Sequence, residues 1–269
     1  STLDLSGIEH YTTLPNLALY ANGGFPFSKF ADLAQTVLVL PDSPQAAEVQ
    51  TALVALGQLG ATTGAAGTRL TVLPTSGVQQ AGDRDLLVVT AGADAPLLKA
   101  WGQTLPARLE AGQRAASTLG RLADAGAEWF SGAAPHAVPR EGWTELQASG
   151  PLAALSGFES PLAKGRSVVV LNATEATALP AASELLLDAG KLRLVRGDLV
   201  LVRGDAVDAF RVGGVYHVGE LQWWRWLWFQ MHTHPLLLAL LGLALGLVMS
   251  LIVFRLLRIR AARRLAARG

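Results

Sequence analysis

The chain has 269 residues, and with 22 basic and 21 acidic side chains its net charge is +1. It contains no cysteine, which excludes disulfides, thiolate catalysis and cysteine-ligated metals. Six arginines and no acidic residue lie in 255–269, so the rest of the chain is mildly acidic (16 basic against 21 acidic), which argues against nucleic acid as a partner.

Residues 1–34 are predicted to be the tail of a preceding β-rich domain and a linker. Residues 14–20 have the apolar character of a single strand, and Asn22-Gly23-Gly24 would follow it as a turn. No helical period of useful length is visible here. The chain opens Ser-Thr-Leu-Asp, without a methionine or a signal peptide, so we expect it to be the C-terminal piece of a longer exported protein.

Residues 35–219 show strands alternating with helices. Short apolar runs predict buried strands at 36–40, 69–73, 85–90 and 167–171. Helices are predicted from Pro44 to Gly60 with Ser43 as N-cap, over 94–101 and over 175–189. Residues 102–166 have no clear period. Buried strands separated by helices predict an α/β fold with a doubly wound parallel sheet.

The last part of this region is β-like. Residues 191–196 alternate, Gly197-Asp198 would turn the chain, and 199–202 would return as a hairpin. Two further short strands are predicted over 210–212 and 215–218. The tripeptide Arg-Gly-Asp occurs at 196–198 and at 203–205, and we interpret both copies as turn chemistry rather than as an adhesion motif.

Residues 235–254 form an uncharged run of 20 residues, which as a helix would span about 30 Å, the thickness of a bilayer's hydrocarbon core. We predict one transmembrane helix there, followed by a basic cytoplasmic tail over 255–269. The topology signal consists of Arg255, Arg258, Arg260, Arg263 and Arg264. Residues 35–219 would then lie across the membrane. The alternative, a tail-anchored cytoplasmic protein, would have to move these arginines through the bilayer.

Residues 220–233 are predicted to form an amphipathic helix in the plane of the membrane interface. Four tryptophans fall within six positions, more than a membrane marker needs. We favour docking on a partner membrane protein over a role in marking membrane depth alone. The residues assigned to the interface and to docking are Leu221, Trp223, Trp224, Trp226, Leu227, Trp228 and Phe229.

The sequence shows no pattern typical of a catalytic or cofactor site. The loop after the first strand of the sheet, 41–44, has two prolines without N–H groups and Asp42, which would repel phosphate. His232 and His234 have no third ligand nearby. Asp83 and Asp85 are expected to form a local ion pair with Arg84. We therefore predict no catalytic residue, no cofactor and no metal site.

Several segments together resemble a known family. They are residues 22–27 with 31–33, residues 36–42, residues 210–219, and the tryptophan-rich segment that leads through His234-Pro235 into one span. The chain resembles the C-terminal half of the periplasmic subunit of bacterial cellulose synthase, the BcsB family. The resemblance implies a flavodoxin-like domain that binds no flavin, and it makes residues 1–34 the end of a carbohydrate-binding jelly roll.

The resemblance also implies a non-catalytic role in a complex that polymerises glucose from UDP-glucose. The chain would sit in the bacterial inner membrane with its main domain in the periplasm, dock on the catalytic cellulose synthase subunit, and guide the glucan. Whether it touches glucan stays open, with Trp101, Trp129 and Trp143 as candidates. Two alternatives remain: a membrane-tethered carbohydrate-binding module with no docking role, and an exported enzyme whose active site lies upstream.

The family has also been labelled as binding cyclic-di-GMP. The chain lacks the paired motifs of the usual receptor domain for that dinucleotide, an Arg-x-x-x-Arg followed by an Asp/Asn-x-Ser-x-x-Gly. Its domain would also face the wrong compartment. We therefore expect regulation by cyclic-di-GMP to act through the catalytic subunit.

Overall fold

The computed structural model describes residues 11–92, 95–102, 104–106, 151–219, 222–226, 228 and 235–266. These residues fall into two structural units, one formed by the described part of 11–219 and the other by the residues from 222 onward. The candidates Trp129 and Trp143 lie outside the described residues.

The first unit is an α/β unit. Its strands are β1 (Tyr11–Leu14), β2 (Thr36–Leu40), β3 (Thr71–Pro74), β4 (Asp85–Ala91), β5 (Ala153–Glu159), β6 (Ser167–Ala173), β7 (Leu199–Arg203), β8 (Ala206–Phe210) and β9 (Tyr216–Gly219). Its α-helices are α1 (Leu17–Gly23), α2 (Ala46–Thr63), α3 (Pro96–Ala100), α4 (Leu179–Leu187) and α5 (Ala189–Leu192). Short 3-10 helices cover Phe27–Lys29, Thr75–Ala81 and Ala176–Ala178.

Seven of the described strands form one mixed sheet in the order β3-β2-β4-β6-β5-β7-β8. The first four of these are parallel, whereas β5 is antiparallel to β6 and β7, and β7 and β8 form a hairpin. The predicted α/β class is confirmed, but the prediction of an all-parallel sheet is wrong. Strand β5 was missed because Ala153-Ala-Leu-Ser-Gly-Phe-Glu159 has no β-branched residue and so gives little strand signal.

Helices cover both faces of this sheet. On one face α1, α2 and α4 pack over a core that includes Leu87 and Leu171. On the other face α3 and the 3-10 helix Thr75–Ala81 pack over Val88 and Val170. The central strands β4 and β6 are therefore apolar on both sides, which explains their continuous hydrophobic runs.

The N-terminal segment differs from the prediction. Residues 14–20 were expected to be one strand, but β1 ends at Leu14 and α1 begins at Leu17. The side chain of Asn16 caps this helix by accepting a hydrogen bond from Ala18 N at 3.1 Å, and this N-cap signal was overlooked. Leu17, Tyr20 and Phe27 belong to the sheet's core, so the described part of 1–34 packs with the sheet. Which module of a longer protein residues 1–34 belong to stays a prediction.

The predicted hairpin over 191–202 is also wrong. Residues 191 and 192 end α5, which Asp188 caps, and the hairpin joins β7 to β8 around Gly204 and Asp205. The side chain of Asp198 is instead buried. Its carboxyl group accepts hydrogen bonds from the backbone N–H groups of Val212 (2.8 Å) and Gly213, and burial raises its pKa. In the first Arg-Gly-Asp copy the aspartate thus holds the backbone at residues 212 and 213, and only the second copy forms a hairpin turn.

Other boundaries shift by a few residues. Helix α2 is capped at Gln45 rather than Ser43, and it runs past Gly60 to Thr63, because one glycine costs a helix only about 1 kcal/mol. The strands predicted at 36–40, 85–90 and 167–171 are confirmed. The strand predicted at 69–73 lies at Thr71–Pro74. The helix predicted over 175–189 is broken into a 3-10 turn, α4 and the start of α5.

Candidate functional site

The tryptophan-rich segment is the candidate site of the second unit. Residues 223–226 and Trp228 have helical geometry. A turn starts at Gln222, whose carbonyl accepts hydrogen bonds from the N–H groups of Arg225 and Trp226, both at 2.9 Å. Leu221, Leu227 and Phe229 lie outside the described residues. A continuous interfacial helix over 220–233 therefore stays a prediction.

The four indoles of this segment are exposed. The exposed fractions are 78% for Trp223, 49% for Trp224, 47% for Trp226 and 67% for Trp228. Because a tryptophan presents up to about 250 Å², the four together leave on the order of 500 Å² open. Tryptophan is enriched at protein interfaces and at the membrane–water interface, where one end of the side chain is in apolar surroundings and the other is wet. The segment therefore has the surface of a docking or membrane-binding element.

Polar contacts within the segment fix the orientation of one indole. The Trp224 Nε1–H donates a hydrogen bond to Gln222 Oε1 at 2.6 Å. The guanidinium carbon of Arg225 lies 4.9 Å from the Trp224 ring centroid, within cation–π range. Trp223 and Trp228 are the most exposed of the four. Their indoles are thus the ones most available to a partner or to lipid.

Helix α6 (Pro235–Ala266) follows the segment. Its stretch Ala239–Arg260 is 22 residues long, and within the described part of the chain it is the one helix long and apolar enough to cross a membrane. None of that stretch is buried against the protein. The prediction of one membrane helix over 235–254 is confirmed as a candidate by length and composition. The helix continues to Ala266 and so includes the arginines from 255 to 264. The basic cytoplasmic tail over 255–269 stays a prediction.

The α/β unit anchors the strand that precedes the tryptophan-rich segment. Strand β9 pairs with β1, and Tyr216 at its start is buried. The Tyr216 hydroxyl donates to Ser167 Oγ at 2.7 Å, and Ser167 N donates to Asp85 Oδ1 at 2.8 Å. Strand β9 is therefore held to the α/β unit at Tyr216.

The hydrogen bonds that hold Tyr216 lead to Asp85, which lies in a cluster of charged side chains. Arg166 lies 3.5 Å from Asp85 and 2.7 Å from Asp83, and Lys29 lies 3.9 Å from Asp85. Burial raises the pKa of Asp85, whereas the hydrogen bond from Arg166 lowers the pKa of exposed Asp83. The ion pair predicted with Arg84 is wrong, since Arg84 instead donates to Ala81, Gln80 and Thr71. Arg166 was missed because it is 83 residues from Asp83 in sequence.

The crevice at the carboxyl ends of β2 and β4 is where doubly wound folds bind anionic ligands. Here the buried side chain of Glu48 enters it from the first turn of α2. Its carboxyl oxygens accept hydrogen bonds from Gln45 N at 2.7 Å and Ala91 N at 2.8 Å. The chain's own acidic side chain thus takes backbone donors that a phosphate would need. The sequence signal for this role was a Glu three residues after the N-cap.

The remaining candidates give no catalytic arrangement. Among the described residues, no group of three histidine, cysteine, aspartate or glutamate side chains is placed to hold a metal. His232 and His234 lie outside that part of the chain. Trp101 is 8% exposed and packs edge-on against Phe158 at 6.2 Å, so it offers no open face to a sugar ring.

Comparison with known proteins adds the family context. Residues 10–171 match the family model described as Cellulose synthase BcsB, second FD domain. The chain is 33% identical over 98% of its length to a protein from Salmonella typhimurium named cyclic di-GMP-binding protein, of which it covers 34%. A protein of the same name from Escherichia coli K12 is 32% identical, and the chain covers 33% of it.

A third relative has a different name. The chain is 32% identical, again over 98% of its length, to a protein from Novacetimonas hansenii named Cellulose synthase 1, of which it covers 17%. The chain thus spans about a third of the length of the first two relatives and a smaller share of the third.

Proposed function

The chain belongs to the cellulose synthase BcsB family, and on that premise we propose that it is part of a non-catalytic, membrane-anchored subunit that docks on the catalytic subunit of bacterial cellulose synthase. The observation that carries the proposal is the exposure of Trp223, Trp224, Trp226 and Trp228 directly before an apolar helix. Exposed indoles beside a membrane helix are typical of a contact surface at the level of the membrane interface rather than of a surface facing bulk water.

The relatives support an association with the synthase. A protein named Cellulose synthase 1 contains a segment 32% identical to this chain within a much longer polypeptide. A module encoded in the same polypeptide as a synthase is expected to work beside it. We propose that this chain likewise lies beside a cellulose synthase catalytic subunit, and that residues 221–229 make the contact with it.

The orientation of the chain is part of the proposal. The arginines on the last turns of α6 favour the cytoplasmic side, so we propose that the α/β unit lies in the periplasm with one pass through the inner membrane. There the flavodoxin-like domain would guide the glucan as a scaffold without flavin. The Glu48 side chain at the strand ends supports the absence of a phosphate ligand.

Two of the relatives are named for binding cyclic di-GMP. The Arg-x-x-x-Arg spacing occurs in this chain at Arg260/Arg264 and at Arg264/Arg268, but an Asp/Asn-x-Ser-x-x-Gly motif occurs nowhere in the sequence. We therefore propose that the dinucleotide regulates the complex through the catalytic subunit.

Two changes in the full-length protein test docking against tethering. The first replaces Trp223, Trp224, Trp226 and Trp228 with alanine, and the second replaces Ala239–Arg260 with an unrelated apolar span. Co-purification with the catalytic subunit and incorporation of glucose from UDP-glucose are measured in membranes. Docking predicts that the tryptophan variant loses both, whereas tethering predicts that it keeps both. The span exchange should keep most of both in either case, so it serves as the control for membrane anchoring.

Leu187→Ala is the matched control, because Leu187 is 66% exposed on the α/β unit. It should change neither readout. If the tryptophan variant kept full co-purification and activity, the segment would be only a membrane marker. The tethered carbohydrate-binding module would then be the better description.

A further inference from the structure

Helix α6 places two arginines at the depth of lipid headgroups. Its uncharged run of 20 residues ends at Phe254, and Arg255 and Arg258 follow within about one turn. A charged side chain in the hydrocarbon core is costly, so the edge of that core should fall just before Arg255. The headgroup layer on each side of a bilayer is roughly 5–8 Å thick. At about 1.5 Å per residue, Arg255 and Arg258 start about 2 and 6 Å beyond the edge, which is inside this layer.

The two arginines share one side of the helix. At about 100° per residue they lie about 60° apart around the helix axis. Residues three apart in a helix have Cβ atoms about 5–6 Å from each other, close enough for both guanidinium groups to reach one phosphate. Arg260 lies about 140° from Arg255 and about 9 Å beyond the edge of the core. It therefore belongs to the other side of the helix, outside the headgroup layer.

Both guanidinium groups are available to a ligand. Arg255 and Arg258 are exposed, and the part of the chain that the structure describes contains no partner for either. Residues 221–269 include no aspartate or glutamate, so no carboxylate of this segment competes for them. In a helix the Cα–Cβ bonds tilt toward the N-terminus, which for these turns of α6 is the direction of the hydrocarbon. The two side chains therefore lean back toward the level of the lipid phosphates.

The same side of α6 is apolar at greater depth. Leu247, Leu251 and Phe254 lie within about 70° of the middle of the arginine pair. They are 57%, 60% and 63% exposed. These three residues with Arg255 and Arg258 are called the α6 strip below. The strip is cationic at headgroup depth and apolar beneath it, which matches a molecule that has an anionic head and an acyl chain.

We propose that the α6 strip binds an anionic phospholipid, with the lipid phosphate between Arg255 and Arg258 and an acyl chain along Leu251. Each basic residue at the membrane surface raises the preference for an anionic lipid roughly fivefold. The two arginines together should therefore favour phosphatidylglycerol over phosphatidylcholine at least fivefold. The proposal rests on the membrane anchor of the proposed function, but it does not require docking by the tryptophan-rich segment.

Quenching by brominated lipids tests this site, because the chain contains no cysteine and one fluorophore can be placed on either side of α6. Leu251→Cys reports on the strip. Val253→Cys is the matched control, because this exposed residue lies about 160° away at nearly the same depth. Each variant is made in the full-length protein with any other cysteines replaced by serine. The labelled protein is purified without its catalytic partner and reconstituted into phosphatidylcholine vesicles that contain brominated phosphatidylglycerol or brominated phosphatidylcholine.

Brominated phosphatidylglycerol should quench the label at position 251 at a mole fraction at least fivefold lower than brominated phosphatidylcholine does. Both lipids should quench the label at position 253 equally. Replacing Arg255 and Arg258 together with glutamine should abolish the preference at position 251. Arg260→Gln removes the same kind of charge from the other side and should leave that preference unchanged.

Each other outcome overturns the proposal. Equal quenching by both lipids at position 251 means that the strip has no preference for an anionic headgroup. An equal preference at positions 251 and 253, or its loss in Arg260→Gln, indicates diffuse attraction to the basic end of the helix. Loss of the preference in excess inorganic phosphate at constant ionic strength indicates a site for a soluble anion. If alkaline carbonate extracted the protein from the vesicles, the membrane anchor itself would be wrong, and the lipid site with it.

Discussion

Replacing Glu48 with alanine is expected to loosen the α/β unit at the carboxyl ends of β2 and β4. The Glu48 side chain is 3% exposed and accepts hydrogen bonds from Gln45 N at 2.7 Å and Ala91 N at 2.8 Å. Alanine removes the acceptor of both. Ala91 N–H would lose its partner in a partly buried site at a cost of about 1–2 kcal/mol.

Loss of the hydrogen bond from Gln45 N lowers the free energy of unfolding by a smaller amount. Gln45 is exposed, so water can replace part of its bond, and the loss is that of a helix cap, about 1 kcal/mol. The free energy of unfolding should therefore fall by about 2–3 kcal/mol in total. For a domain of this size that corresponds to a melting temperature lower by roughly 4–12 °C. Glu48→Gln keeps one acceptor oxygen and should lose about half as much.

Thermal unfolding in detergent, followed by circular dichroism, measures these shifts. Glu184→Ala is the control, because Glu184 is exposed and its only described ion pair is with Lys191 on the surface. Such a surface change is usually within about 0.5 kcal/mol. If Glu48→Ala stayed within that range, the idea that this side chain holds the strand ends together would fail.

Three further predictions concern single polar side chains. Tyr216→Phe removes the hydroxyl that donates to Ser167 and should lower the free energy of unfolding by about 1 kcal/mol, measured by urea titration. Burial raises the pKa of Asp198, so the native state binds more protons than the unfolded state, and the stability advantage of wild type over Asp198→Asn should shrink as pH rises above about 4. Backbone hydrogen bonds from Lys191 and Gly190 lower the pKa of exposed Asp188. The stability advantage of wild type over Asp188→Asn should therefore shrink as pH falls below about 4.

The sequence predicted the strands whose signal is local. Residues 36–40, 85–90 and 167–171 are short runs rich in valine and leucine, and both faces of these strands are buried, so composition alone identifies them. Strand β5 has no β-branched residue and is stabilised by its two antiparallel neighbours. No local pattern carries that information, which is why the sheet's mixed character was not predicted.

The candidate site also has features that the sequence shows and contacts that it does not. The tryptophans and the apolar helix are visible as composition, and the structure adds their exposure. The contacts that define the crevice and the β9 anchor are not visible, because their partners are far apart in sequence. Glu48 and Ala91 are separated by 43 residues, and Tyr216 and Ser167 by 49.

The two copies of Arg-Gly-Asp show how one tripeptide takes two roles. Gly197 has a φ of +68°, and a Cβ there would overlap the carbonyl oxygen of Phe210. Gly204 has a φ of +55° in the turn between β7 and β8, and a Cβ there would meet no atom within 4 Å. Both glycines occupy the left-handed region, but only Gly197 is also closed in by the backbone of a neighbouring strand.

Gly197→Ala should therefore cost about 3 kcal/mol or more, because the left-handed strain of roughly 1–2 kcal/mol is joined by a backbone clash that β8 must move to relieve. Gly204→Ala should cost only the strain, about 1 kcal/mol. Thermal unfolding of the two variants gives the comparison directly. Equal melting temperatures would mean that the approach of Gly197 to Phe210 does not constrain the fold, and that both copies are ordinary turns, as the sequence alone suggested.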